Sequence, residues 1–318
     1  MIGLRLLLSV GAVVATIVGA HAQSANPPVF RSRATAVSLD VSVKRGNLPV
    51  ADLTAADFVV SDNGVAQSVE HAFTNVVPVD VTLIVDASSS TATIFNSIRK
   101  DAEQILGLLG PDDRARILVI ETTPYELLPL QTAGGGLALT DERVPGHLSS
   151  IYDAILAALV RRSVPDRRRM VVAITDGVDT KSITSVDTLE RIARRTDSVL
   201  HIISVRPVRT ANAAPPVRTI SSGFVRADPT SPELDIFERL PALTGGAWHG
   251  PSHTSRPAAN VNAVAVVGEL IEEFRKSYVI QYMPRDVTSG GWHDVVVRVQ
   301  GVDPRGVRTR AGYFDAAR

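Results

Sequence analysis

Apolar and polar residues alternate where the chain first becomes regular: Val37, Leu39, Val41 and Val43 are interleaved with Ser38, Asp40, Ser42 and Lys44. A period of two belongs to a strand with one buried face, and Gly46-Asn47 turns the chain after it. A second apolar group, Phe58-Val59-Val60, runs into Asp62-Asn63-Gly64, a hairpin signal that leads to residues 65–73. The opening is therefore a small β region.

From Asp80 the rhythm changes. Residues 81–85 are apolar but for Thr82, as a central parallel strand is, and Ile94, Ile98, Ile105 and Leu109 then recur at helical spacing until Gly110-Pro111 stops the helix. Strands are predicted over 115–121 and 125–131, joined by a tight turn at Thr123-Pro124, and over 170–175 and 199–205. Helices are predicted over 150–162, 185–195, 232–243 and 259–276. Strands alternating with helices give an α/β fold, a doubly wound, mostly parallel sheet whose ligands sit at the carboxyl ends of its strands. The long Pro- and Ala-rich stretch 206–231 follows a strand and so falls on that face.

After Lys276 the period of two returns in Tyr278, Ile280 and Tyr282, then in Val295, Val297 and Val299, and residues 307–314 close the chain. Neither terminal β region has enough strands for its own core. The expected organisation is an N-terminal β segment over 23–78, an α/β domain over 79–276, and a C-terminal β segment over 277–318 that pairs with 35–75 to form one small module. Two separate decorations on the α/β domain are the alternative.

Residues 1–22 change the picture of location. Arg5, an apolar stretch over 6–19 and Ala20-His21-Ala22 have the form of a secretory signal peptide cut after Ala22. Ser9, Gly11 and Thr16 interrupt the stretch, which falls short of the ~20 apolar residues of a spanning helix. The chain is expected to be exported, periplasmic or secreted, with no membrane span after cleavage. It has no cysteine, which excludes a disulfide framework and a cysteine-linked lipid. Lys plus Arg and Asp plus Glu are both 33 among 318 residues, so no net field draws it to nucleic acid.

The candidate chemistry lies after the first buried strand. Asp86, Ser88 and Ser90 offer a carboxylate and two hydroxyls at alternate positions of a strand-to-helix turn, hard oxygen ligands that suit Mg²⁺ or Mn²⁺, with Ca²⁺ also possible. Asp176-Gly177 brings a second carboxylate to the same end of the sheet, and Ser149-Ser150 starts a helix there. Singly, these are the residues of caps and turns; what points to a cation site is their convergence on one rim.

In this order and context the three pieces resemble the von Willebrand factor A family, whose metal-ion-dependent adhesion site reads Asp-x-Ser-x-Ser, then Thr, then Asp. The resemblance covers residues 79–275 and implies Asp86, Ser88, Ser90, Ser149 and Asp176 as ligands. Ser149 stands where the family has Thr, with Ser150 as the alternative ligand. The implied function is recognition: an exported protein whose bound cation engages an Asp or Glu carboxylate of a protein partner. Residues 53–64 and the tail from Ser277 to Phe314 are similar to the flanks of a bacterial, exported group of von Willebrand factor A-related proteins.

Other readings are weaker. A metal-independent envelope scaffold with a vestigial site is the alternative, and a hydrolase the weakest, since no nucleophile elbow or His-Glu-x-x-His helix occurs. His249 and His253 are separated by Gly250-Pro251, which argues against a helical zinc pair, and His147 is the one histidine near the rim. Gly134-Gly135-Gly136 lacks the Lys of a phosphate loop. Arg161, Arg162 and Arg167-Arg168-Arg169 are expected to complement a helix C-terminus and face solvent.

Overall fold

The computed structural model describes residues 36–74, 77–87, 104–132, 148–161, 164, 166–204, 232–249 and 262–316. Strand β6 (Val79–Asp86) is buried along its whole length and lies at the centre of a six-stranded sheet. Around it are β7 (Arg114–Ile120), β8 (Tyr125–Thr132), β9 (Arg168–Thr175), β10 (Val199–Ser204) and β11 (Trp248–His249), in the order β11-β10-β9-β6-β7-β8. All neighbours are parallel except β7 and β8, which the tight turn between them makes antiparallel. At this exposed edge Pro129 removes a donor from β8, which discourages pairing with another chain.

The apolar runs serve two faces at once. Val81, Leu83 and Val85 pack with helix α4 (Ala263–Lys276), whereas Ile84 and neighbouring strand residues pack with α1 (Ile151–Leu159), α2 (Val186–Ala193) and α3 (Pro232–Thr244). Ser185 caps α2 by accepting from the Thr188 N–H, and Asn262 caps α4 through the Ala265 N–H.

The remaining strands form two antiparallel sheets. One runs β14-β1-β12-β5, from β1 (Val37–Arg45), β5 (Val69–Thr74), β12 (Tyr278–Tyr282) and β14 (Val307–Arg308), with β2 (Leu48–Pro49) beside β1. The other runs β15-β13-β3-β4, from β3 (Phe58–Asp62), β4 (Val65–Gln67), β13 (Gly291–Val299) and β15 (Gly312–Asp315). Alternate residues of both sheets, Leu39, Val41, Ile280 and Tyr282 from one and Phe58, Val60, Val295 and Val297 from the other, share a core. The head of the chain and its tail thus make one sandwich, with β12 between β1 and β5.

The sandwich rests on the amino ends of the parallel strands, and arginines make the joint. Arg168, the first residue of β9 and 8% exposed, pairs with Asp40, donates to the Phe274 carbonyl at 2.8 Å and Ser277 Oγ at 2.5 Å, and lies over the Phe274 ring. Arg167 and Arg114 both hold Asp80, whose pKa burial raises and these two guanidinium groups pull below the ordinary carboxylate range. Arg169 does complement the end of α1, through the Arg161 and Ala158 carbonyls. The expectation of solvent-facing arginines holds for Arg161, while Arg162 lies outside the described residues; for Arg167, Arg168 and Arg169 it is overturned, because β9 begins at Arg168 and carries them to the floor of the sheet.

At the same joint, His201 Nδ1 lies 3.3 Å from His249 Nε2 and accepts the Ala247 N–H at 3.2 Å. Burial pushes His201 well below the ordinary imidazole range and His249 down to about 4, the nearby Arg308 charge adding to both. Native imidazoles are therefore neutral where unfolded ones take up a proton. Stability from His249 is whole above pH ~6.5 and drains as pH falls towards about 4, by on the order of 3 kcal/mol. Urea unfolding midpoints should fall as pH drops from 7 to 4, and less steeply in His249→Asn, where His201 alone remains; an equally steep profile in the variant would place the effect elsewhere.

Candidate functional site

Parallel strands deliver their last residues to one rim. Val85 of β6 is opposite Ile174 of β9, so Asp86 and Thr175 come out side by side and Asp176 follows at once. Asp86 is 1% exposed. Its Oδ2 accepts the Thr175 hydroxyl at 2.8 Å and its Oδ1 accepts the Ser149 hydroxyl at 3.2 Å. Thr175 Oγ1 in turn accepts the Gly177 N–H at 3.1 Å, and Asp176 Oδ1 accepts the Val178 N–H at 3.0 Å. Gly177 sits at φ +83°, in the left-handed region that favours glycine.

The two serines before α1 part company. Ser149 turns its hydroxyl to Asp86, whereas Ser150 donates to the Glu121 carbonyl at 2.5 Å. Neither caps the helix. Asp179 does, accepting the Ile151 and Tyr152 N–H groups at 2.7 and 3.3 Å. Thr180 Oγ1 accepts the Ser149 N–H at 2.9 Å, and the Ser149 carbonyl takes the N–H groups of Thr180 and Lys181. The loop after β9 thereby grips the start of α1 and fixes the Ser149 backbone.

Of the sequence-predicted ligands, Asp86 and Ser149 are in contact and Asp176 follows the strand paired to Asp86. Ser88, Ser90, His147, His253, the glycine run and the stretch 206–231 lie outside the described residues, as does the predicted signal segment. Thr175, Asp179 and Thr180 escaped the sequence reading. A hydroxyl at the last strand position before an acidic turn was the available signal for Thr175; the other two need the fold.

Among the described residues at this rim the side-chain groups brought together are carboxylates and hydroxyls, and no three histidine, aspartate or glutamate side chains converge. A buried carboxylate with hydroxyl neighbours fits an oxygen-preferring divalent cation. For such an ion to reach Asp86 Oδ1, the Ser149 hydroxyl must turn its proton away and present a lone pair.

No protein-family model matches the chain, and no curated protein matches it in sequence. Among solved structures it is similar to an aerotolerance-related membrane protein from Bacteroides fragilis, with 15% identity over 62% of this chain and 99% of that one and a TM-score of 0.39. It is similar to BatB from Bacteroides thetaiotaomicron, with 14% identity, 61% and 98% coverage and a TM-score of 0.38. The VWA domain of SpRpn10 gives 15% identity, 62% and 95% coverage and a TM-score of 0.40. At these values the likeness is one of chain path, and the site stands on its own distances.

Proposed function

We propose that the α/β core is a von Willebrand factor A-type domain and that this is an exported binding protein whose rim holds a divalent cation, Mg²⁺ or Mn²⁺ or else Ca²⁺, for contact with a protein partner. Asp86, Ser88, Ser90, Ser149 and Asp176 are the ligands in this reading. The ion, when bound, supplies an open position for an Asp or Glu carboxylate of the partner, a charge-assisted contact that exists only with metal present. The chain's own residues orient the site: Thr175 holds Asp86 Oδ2, and Thr180 and Lys181 fix the Ser149 backbone. The observation that carries the reading is the direct approach of Ser149 Oγ to Asp86 Oδ1, two residues 63 apart in sequence.

Export rests on the leader pattern of residues 1–22, and the described residues include no helix long and apolar enough to cross a membrane. A metal-independent envelope scaffold is the second reading. One observation favours it: Ser149 and Thr175 engage both oxygens of Asp86, so its carboxylate has partners within the protein itself.

A thermal melt of the chain from Gln23 onward, after chelation and then with millimolar Mg²⁺ or Mn²⁺, separates the two. An ion at about 100 times its dissociation constant adds about 2.7 kcal/mol to the native state, or roughly 5–10 °C in a domain of this size. Asp86→Ala should abolish that shift. An ion-independent melt of the wild type would leave the scaffold reading standing.

A further inference from the structure

Beside the rim, Ile183 is 95% exposed, more than any other large apolar side chain among the described residues. Single exposed apolar residues are common on proteins and by themselves mean little. This one differs in how it is held. The Ile183 and Thr184 N–H groups donate to the two oxygens of Asp153 at 3.1 and 2.9 Å, while Ser182 Oγ donates to Asp179 Oδ1 at 2.6 Å and accepts the Asp153 N–H at 3.2 Å. Four residues of the loop, at 179, 182, 183 and 184, are thus bonded to the first turn of α1. A loop anchored so densely loses little conformational freedom on docking, and the β-branched side chain has little χ1 freedom to lose.

Position gives the anchored side chain its meaning. The Lys181 N–H is bonded to the Ser149 carbonyl, and the Ser149 hydroxyl to Asp86. Two residues of chain reach about 7 Å at most, so Ile183 lies within that distance of Lys181, Cα to Cα. Ile183 is thus one short chain link from residues bonded to the site, a distance that an extended partner segment of a few residues can cover. Lys181, also exposed, adds positive charge between the two.

Resting on the binding reading above, we infer that Ile183 is a second contact of the same interface and selects partners in which an apolar residue lies a few positions from the metal-bound Asp or Glu. The probe is an array of nine-residue peptides with a central Asp, flanked by serines or carrying one leucine at each flanking position in turn, and Asn in place of Asp as control. In Mg²⁺, wild type should retain leucine-bearing Asp peptides at least about tenfold better than the all-serine Asp peptide. Ile183→Ser should reduce that ratio to near one while keeping Asp-over-Asn discrimination and the Mg²⁺-dependent melting shift, and Ile183→Leu should restore it. A leucine preference unchanged in Ile183→Ser, or absent from wild type while Asp is still favoured over Asn, overturns the inference and leaves the metal-site reading intact. Asp and Asn peptides retained alike would overturn both.

Discussion

Gly246→Ala is expected to yield no folded protein at any temperature where the wild type is stable. A Cβ at this position would lie 1.8 Å from the Leu200 carbonyl oxygen and 2.5 Å from its carbon, both backbone atoms of a buried strand. Neither can retreat, because β10 is hydrogen-bonded to β9 along its length and the Ile202 N–H is bonded to the Ala247 carbonyl. The preceding residue is equally constrained: Gly245 has φ +86°, and its Cβ would meet the Arg310 nitrogen of the tail at 2.8 Å. A loss beyond about 5 kcal/mol, on the scale of the largest single-site effects, follows from such a clash. Gly46→Ala is the control, with φ +63° but nothing within 4 Å, and should cost only about 1–2 kcal/mol of left-handed strain. Circular dichroism and limited proteolysis compare the two; a folded Gly246→Ala chain would mean that the approach of this turn to β10 is looser than described.

The second large effect is expected at Asp62, which is completely buried in the sandwich core. One carboxylate oxygen accepts the hydroxyls of Tyr282 and Tyr313 at 2.9 and 2.8 Å, and the other is 2.8 Å from His293 Nδ1, which donates to it. Burial and the adjacent carboxylate push both tyrosines above the ordinary phenol range, so they act as neutral donors at any working pH. Asp62→Ala strands three donors at roughly 1–3 kcal/mol each if none finds a new partner, and about 3–5 kcal/mol in all is expected after relaxation. Asp62→Asn, which retains one carbonyl oxygen, should recover part of that loss. Equal melting points for wild type and Asp62→Ala would show that the cluster contributes nothing to the sandwich.

Period was legible in the chain and partnership was not. The burial of β1 alternates as its Val and Leu spacing predicts, and the mostly apolar run before Asp86 is buried on both faces. The candidate ligand residues also stood out, by their convergence on one rim, since singly they are the residues of caps and turns. What the sequence could not show is which polar group answers which. Asp62 reads as a turn residue before Asn63-Gly64, yet it is the acceptor for three residues more than 200 positions away. Arg168 reads as surface charge, yet it joins Asp40 to the end of α4. Ser150 and Ser149 are indistinguishable until Glu121 and Asp86 divide them. Each of these depends on contacts between remote segments, which hydropathy spacing does not encode.

The placement of the α/β core between β5 and β12 bears on the order in which the chain is completed. Thr74 and Tyr278 are direct partners in an antiparallel pair, so the segment 75–277 leaves and re-enters the sandwich across one strand spacing. As a flexible loop of that length it would cost about 5 kcal/mol to close, before the constant term. Once folded, the core holds its two ends side by side and acts as the turn of a hairpin. The tail can then lay β12 against β5 and beside β1, and these distant pairings become, kinetically, local ones.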